Sequence, residues 1–157
     1  MISLRRVQSE EIEKLIPIYK SAYRGLENYA YTHPEEIRGY LNWLFRGDPQ
    51  GFFVAEKGGR LIGFVSIHGD WWDRQRQTRT GEIHELVVHS DFKGQGVGKT
   101  LIEKAFSYLK ERGCKTASLW VGENNFLARR WYKKLGFREV GQVSCWVRMV
   151  KNLSFSK

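Results

Sequence analysis

The segment DFKGQGVGKT, residues 91–100, decides the fold. It has a glycine at every second position from 94 to 98, and it connects an apolar strand to a helix. The strand is GEIHELVVH at 81–89, and the helix covers about 97–112. The glycines are Gly94, Gly96 and Gly98. Glycines let a ligand approach the backbone closely, and amides at a helix N-terminus attract anions. The segment therefore predicts a phosphate-binding turn.

Two nucleotide-binding motifs resemble this turn without matching it. A Walker A loop would need a glycine five positions before Gly98, and that position is Lys93. A dinucleotide fingerprint would need a third glycine where Lys99 stands, and an acidic residue about twenty positions on. The region in question reads GCKTASLW and carries no acid. We therefore expect neither a nucleoside triphosphate nor NAD here.

The remainder of the chain reads as alternating helices and strands. The expected helices cover 9–24, 34–46, 97–112 and 125–135. The expected strands form a hairpin at 51–69, then 81–89, 116–121 and one or two in the tail, with a polar loop at 69–81. This order predicts an α/β (α+β) fold, with a mixed, mostly antiparallel central sheet of about six to seven strands flanked by about four helices.

Length and composition narrow the class of protein. The 157 residues suit a single domain over 1–157, and 41% apolar content suffices for a core. Neither a membrane-length apolar run nor a signal-peptide pattern is visible, so we expect a cytoplasmic protein without membrane contact. The two cysteines are too few for a disulfide framework, and the histidines show no ligand spacing. We therefore expect no metal.

The net charge of +9 could suit nucleic acid or another polyanion. Basic residues concentrate at 74–79 and 128–138, but no nucleic-acid motif accompanies them. We interpret most of this charge as a solvated face and do not expect a nucleic-acid partner. The sequence leaves homodimer formation open.

Two sequence blocks carry a family resemblance. The first is Lys93-Gly94-Gln95-Gly96-Val97-Gly98, and the second is Asn125, Ala128, Tyr132 and Leu135-Gly136-Phe137. Together, in this order and separated by one helix and one strand, they resemble the GNAT superfamily of N-acetyltransferases. The resemblance covers about residues 51–140, and Lys93 stands where Arg or Gln is usual.

The resemblance implies acetyl-CoA as the acyl donor and a GNAT-like acyl-CoA N-acyltransferase fold. The pyrophosphate of acetyl-CoA would lie on the amides from Gln95 to Thr100, and its pantetheine arm would pair with the backbone of Leu86, Val87 and Val88. Asn125 would bond the pantetheine, cap a helix, or do both. The implied cofactor-binding residues are Leu86, Val87, Val88, Lys93, Gly94, Gln95, Gly96, Val97, Gly98, Lys99, Thr100, Asn125 and Tyr132.

Acetyl transfer to an amine requires a base, stabilisation of the oxyanion and a proton for the thiolate. Strand alternation predicts that Glu82, His84, Leu86 and Val88 share one face of strand 81–89. The resemblance implies that Glu82 and His84 hold the general base, which the sequence does not assign to either residue. It also implies Tyr132 as general acid and a backbone N–H, that of Leu86, at the oxyanion.

The acceptor would be a primary amine, on either a small molecule or a protein. Aromatic residues in the segments that would build its site favour a hydrophobic amine or a peptide side chain. They are Tyr23, Tyr29, Tyr31, Trp43, Trp71, Trp72 and Trp146. The alternative function is a catalytically inactive GNAT-fold module that binds a polyanion such as nucleic acid.

Overall fold

A computed structural model describes residues 1–153 of the chain. Its helices are α1 (Ile12–Ala22), α2 (Pro34–Gly47), α3 (Val97–Glu111) and α4 (Phe126–Lys134). Its strands are β1 (Ser3–Arg6), β2 (Phe52–Lys57), β3 (Arg60–Asp73), β4 (Thr78–Val88), β5 (Thr116–Gly122), β6 (Arg138–Val143) and β7 (Trp146–Asn152).

The seven strands form one sheet in the order β1-β2-β3-β4-β5-β7-β6. All neighbours are antiparallel except β4 and β5, which are parallel. The predicted fold class, with its strand and helix numbers, is confirmed. The prediction missed β1, whose four residues pair with β2.

The helices cover both faces of the sheet because each contributes one apolar stripe. Leu15, Tyr19 and Leu41, from α1 and α2, are buried with Phe52 and Val54 on one face. On the other face, Leu101 and Leu109 of α3 are buried in a second core. Residues of α4, including Trp131 and Tyr132, pack against that second core.

The segment 69–81 is not the predicted polar loop. Strand β3 continues to Asp73 and β4 begins at Thr78, so a long hairpin replaces the loop and only residues 74–77 turn. Trp71 pairs with Thr80 and Trp72 with Arg79, so both tryptophans lie in a strand. The segment is polar, and its arginines and glutamines do not alternate with apolar residues as in a typical strand. Its composition therefore indicates a loop, although it folds as a hairpin.

Strands β4 and β5 pair at only two positions, Gly81 with Ala117 and Glu82 with Ser118, and then diverge. A parallel pair that stops early leaves a gap in the sheet. The N-terminus of α3 and the helix α4 flank this gap on one face, and the segment between α1 and α2 lies on the other. The fold therefore places the glycine turn beside an opening in the sheet.

No group of three or more His, Cys, Asp and Glu side chains in residues 1–153 is arranged to hold a metal ion. No helix in the same range is long and apolar enough to cross a membrane.

Candidate active site

A cavity of about 1210 Å³ occupies the gap between β4 and β5. It is continuous from the glycine turn at the start of α3 to the segment between α1 and α2. The predicted cofactor residues that line it are Leu86, Val87, Val88, Lys93, Gly94, Gly96, Val97, Gly98, Lys99, Asn125 and Tyr132. The structure thus brings together most of a set that spans 47 residue numbers, from 86 to 132.

The glycine turn has the conformation that its residues favour. Gly94 and Gly96 have φ of +79° and +85°, which is strained for any residue with a Cβ. Gly96 caps α3, so the amides of Val97, Gly98 and Lys99 are the first in the helix and lack intrahelical acceptors. Lys93 and Lys99 line the same end of the cavity. This end is built to bind an anion.

Gln95 and Thr100 are the two predicted cofactor residues that are not among the described residues lining the cavity. The Gln95 side chain accepts a hydrogen bond from Lys57 Nζ at 3.2 Å. The Thr100 amide donates to the Gly96 carbonyl at 3.1 Å, because the helix has completed its first turn there. The helix amides without an intrahelical acceptor therefore end before Thr100.

Asn125 caps α4, as the sequence indicates. Its Oδ1 accepts a hydrogen bond from the Ala128 amide at 3.4 Å, and the residue also lines the cavity. Two turns further on, the Tyr132 ring packs on Trp131 and Phe137, with centroids 5.1 and 5.5 Å away. Burial raises the pKa of the Tyr132 hydroxyl above its ordinary value of 10, and the nearby Glu85 carboxylate adds to the shift. Tyr132 is therefore a protonated phenol on the cavity wall.

A β-bulge in β4 reverses the predicted faces of the residues that follow it. Ser66 pairs with Glu85 and Ile67 with Ile83, so His84 is an extra residue in β4. Alternation restarts after it. Leu86 and Val88 consequently pack towards the core under α3, not on the face that holds Glu82 and His84. The prediction that these four side chains share a face is therefore wrong.

His84 lies on the face covered by α1 and α2. Its ring contacts Trp43 and Trp71, with centroids 5.2 and 4.6 Å away, and it lines the cavity. Within the described chain, His84 Nε2 is the one buried side-chain nitrogen or oxygen without a hydrogen-bond partner. Burial lowers the pKa of His84 to about 3, and the charges of His68 and Arg148 contribute. The imidazole is therefore neutral at pH 7.

Glu82 is buried and held by an arginine that the sequence analysis did not identify. Its two carboxylate oxygens accept hydrogen bonds from Arg148 Nη1 and Nη2 at 2.6 and 2.8 Å. Asp73 accepts from the same guanidinium at 3.0 and 3.3 Å. Burial raises the pKa of Glu82 to about 7, against the opposing effect of Arg148. Glu82 is not among the described residues that line the cavity.

Glu85 is a site residue that the sequence analysis missed. The bulge turns it towards α1 and α2, where it accepts hydrogen bonds from the hydroxyls of Tyr23 and Tyr40, the latter at 2.7 Å. It lines the cavity, and burial raises its pKa to about 7. The available signal was a second acid in the segment 81–89, but simple alternation placed it on the face opposite Glu82.

The aromatic residues that the sequence predicted around the acceptor divide into two groups. Tyr23, Tyr29, Tyr31, Trp43 and Trp146 line the cavity. Trp71 packs on His84 behind it, and Trp72 lies beside Arg79 on the hairpin, about half exposed. Most of the predicted aromatic surface therefore faces one site.

Comparisons with known proteins identify the family of the chain. Residues 12–137 match the profile of the acetyltransferase (GNAT) family. An uncharacterised N-acetyltransferase of Methanocaldococcus jannaschii is 40% identical over 151 residues, which cover 96% of this chain and 67% of that protein. A second one, from Archaeoglobus fulgidus, is 40% identical over 137 residues, covering 87% of this chain and 93% of the relative.

Solved structures give the same result. The crystal structure of PH1933 from Pyrococcus horikoshii aligns with a TM-score of 0.89 and 34% identity, over 99% of this chain and 100% of that one. A PaiA N-acetyltransferase from Thermoplasma acidophilum, solved with coenzyme A, shares the fold at a TM-score of 0.74 and 19% identity, over 97% of this chain and 99% of that one. The chain described here belongs to the GNAT family of acetyltransferases.

Proposed function

We propose that this protein transfers the acetyl group of acetyl-CoA to a primary amine, by direct attack in a ternary complex. The observation that carries the proposal is the single cavity that joins the anion-binding turn of α3 to Tyr132 and His84. A donor held at one end and an acceptor at the other could meet there without a covalent enzyme intermediate. The acceptor could be either a small-molecule amine or a protein amine.

The cofactor end would hold acetyl-CoA by charge and by backbone. The amides of Val97, Gly98 and Lys99 would bind the pyrophosphate, with Lys93 and Lys99 supplying positive charge. The part of β4 that diverges from β5, at Leu86, Val87 and Val88, would pair with the amide groups of the pantetheine arm. The N–H of Leu86 is our candidate for the oxyanion.

Tyr132 would act as the general acid. Its phenol remains protonated at neutral pH because its pKa is raised, so it can give a proton to the departing thiolate. The contacts with Trp131 and Phe137 restrict the ring and hold its hydroxyl in place.

Of the two residues proposed as bases, His84 is the one placed to contact an acceptor. It lines the cavity and has a buried Nε2 without a partner, which can accept a hydrogen bond from the nucleophilic nitrogen. Glu82, by contrast, is engaged by Arg148 and lies behind the cavity lining. We therefore assign Glu82 an indirect role, in which it holds Arg148 and the strands around the site.

The proposal is tested by thiol release from acetyl-CoA, with primary amines and peptides as acceptors. We expect release that depends on the amine and saturates with both substrates. The alternative, an inactive polyanion-binding module, predicts no release and RNA binding that weakens steeply with salt. Absence of acetyl-CoA binding by calorimetry would refute the enzyme proposal.

A further inference from the structure

Glu85 is a buried carboxylate without a cation. Among the described residues that line the cavity it carries the only carboxylate, and its hydrogen-bond donors are the two neutral phenols of Tyr23 and Tyr40. No arginine, lysine or histidine in residues 1–153 lies within ion-pair distance of it. Glu82, three positions earlier, has Arg148. A buried carboxylate without a cation suits a site whose ligand supplies the positive charge.

Aromatic rings surround this carboxylate. The Tyr40 ring lies 5.9 Å from Tyr19 and 5.2 Å from Tyr31, and Tyr19 lies 4.8 Å from Tyr23. Trp43 stacks on the Tyr40 ring at 6.4 Å and is about half exposed. We call these five residues, Tyr19, Tyr23, Tyr31, Tyr40 and Trp43, the aromatic box. Ring faces attract cations, so the box and the carboxylate favour the same kind of ligand.

The charges along the cavity are separated. Lys93 and Lys99 lie at the end with the glycine turn, whereas Glu85 lies next to His84 at the bulge of β4. The Glu85 carboxylate is also near enough to Tyr132 to raise the pKa of its phenol. A cation bound at Glu85 would therefore lie in the same cavity as His84 and the group that we propose as general acid.

We propose that Glu85, within the aromatic box, binds the acceptor amine as its ammonium ion and takes its first proton. This inference rests on the proposed function and names a substrate class for it. The class is a primary amine with one positive charge and an apolar or aromatic substituent. An anionic group next to the amine would meet the Glu85 carboxylate without a basic partner, so amino acids with a free carboxylate should be poor acceptors.

The proton balance is as follows. Glu85 removes one proton from the ammonium ion, and the neutral nitrogen attacks the acetyl carbon as the carbon–sulfur bond breaks. The phenol of Tyr132 protonates the thiolate and is itself reprotonated with the second proton of the nitrogen. The products are an acetamide, the free thiol and one proton, which Glu85 releases to solvent. His84 Nε2 accepts a hydrogen bond from the nitrogen and need not change its own charge.

The pH dependence of acceptor binding follows from the ionisation state of Glu85. The carboxylate binds an ammonium ion only when it is ionised, and burial raises its pKa to about 7. Acceptor affinity should therefore rise with pH up to about 7. The groups that face Glu85 titrate elsewhere: the tyrosine hydroxyls have raised pKa values and His84 a lowered one, near 3. Glu82, with a pKa near 7, is behind the lining and bonded to Arg148.

The test uses binding and turnover of 2-phenylethylamine as the probe. Phenylalanine adds a carboxylate to it, and 2-phenylethanol replaces its ammonium group with a neutral hydroxyl. The variants are Glu85→Gln, Tyr40→Phe and the matched control Glu139→Gln, whose carboxylate, on β6, pairs with Arg129 of α4. Binding is followed by calorimetry and by tryptophan fluorescence, which includes that of the half-exposed Trp43.

We expect Glu85→Gln to weaken 2-phenylethylamine binding by about 10- to 100-fold, as for loss of a charge-assisted hydrogen bond, and to abolish the rise with pH. Binding of 2-phenylethanol and of acetyl-CoA should stay within about twofold of wild type, as should every measurement on Glu139→Gln. Wild type should prefer 2-phenylethylamine to phenylalanine by at least about tenfold.

Three results would overturn the inference. One is an equal loss of binding affinity for the amine and for the alcohol in Glu85→Gln, which indicates a structural role. Another is equal acetylation of phenylalanine and 2-phenylethylamine. The third is turnover of other amines by a wild-type protein that neither binds nor acetylates the probe, and in that case the acetyltransferase function stands alone. If Glu85→Gln does not fold, the inference is tested by the pH profile of the wild type and by the Tyr40→Phe variant. Tyr40→Phe should weaken binding of 2-phenylethylamine but not of 2-phenylethanol.

Discussion

Arg148 of β7 donates hydrogen bonds to both carboxylate oxygens of Glu82 in β4, across the intervening strand β5. Asp73 of β3 binds the same guanidinium, and the Trp120 ring lies 4.8 Å below it. All three charged side chains are at most 2% exposed. This buried cluster joins three strands, and it gives Glu82 a role that strand position alone did not reveal.

Replacement of Glu82 should therefore affect stability more than chemistry. In Glu82→Gln, Arg148 loses one of its two carboxylates, and we expect the free energy of unfolding to fall by about 3 kcal/mol, as for a broken buried ion pair. The turnover number per folded molecule should change by less than about threefold. Urea unfolding and thiol release, measured on the same preparation, check both values. A variant of wild-type stability that has lost its turnover would instead identify Glu82 as the base.

Replacement of Tyr132 should show the opposite pattern. Tyr132→Phe keeps the ring contacts with Trp131 and Phe137 but removes the acid, so we expect the turnover number to fall about 100-fold. The dissociation constant of acetyl-CoA, measured by calorimetry, should be nearly unchanged. Tyr108→Phe is the control, because that hydroxyl bonds Asp48 in a buried cluster with no cavity residue. An undiminished rate in Tyr132→Phe would remove the general acid from the proposal.

The glycine turn can be tested by adding one methyl group. A Cβ at Gly98 would lie 3.6 Å from the Trp131 ring and 3.8 Å from Val88, which are ordinary contacts with two residues of the cavity wall. Gly98→Ala should therefore fold, yet lower acetyl-CoA affinity by about tenfold, because the methyl group stands where the ligand approaches the helix amides. Gly39→Ala in α2, where a Cβ has open space, should bind normally. Equal affinities in the two variants would contradict the proposed pyrophosphate position.

Stability should depend on pH through Glu85. The pKa of this carboxyl is about 7 in the folded protein and 4.5 ordinarily, so the folded state holds the proton more tightly. The folding stability that this tighter proton binding contributes is fully present below pH 4.5 and is lost as pH rises through 7. Glu85→Gln cannot titrate, so wild type should lose stability relative to this variant between pH 5 and 8. Urea unfolding of both proteins at the two pH values tests this, and a constant difference would contradict the raised pKa.

The sequence allowed prediction of the features that depend on local pattern. The glycine turn, the Asn125 cap and the amphipathic helices have signals within a few residues, and their predicted positions agree with the structure. The tail, for which one or two strands were expected, holds two, β6 and β7.

The features that could not be predicted depend on residues far apart in the chain. The bulge at His84 is a mismatch between the registers of β3 and β4, and it reverses the alternation used to assign faces. The partner of Glu82 is Arg148, 66 positions away, in a tail that reads simply as a strand. Glu85 became a candidate only when the bulge placed it beside Tyr23, at the end of α1, and Tyr40 of α2.

The most direct test of the central claim combines thiol release from acetyl-CoA with mass spectrometry of the amine and of the protein. The account predicts one acetylated amine for each thiol released, at a rate that depends on the amine, with no acetylated protein during turnover. Thiol release that is unaffected by any amine, or a protein that does not bind acetyl-CoA, would contradict it.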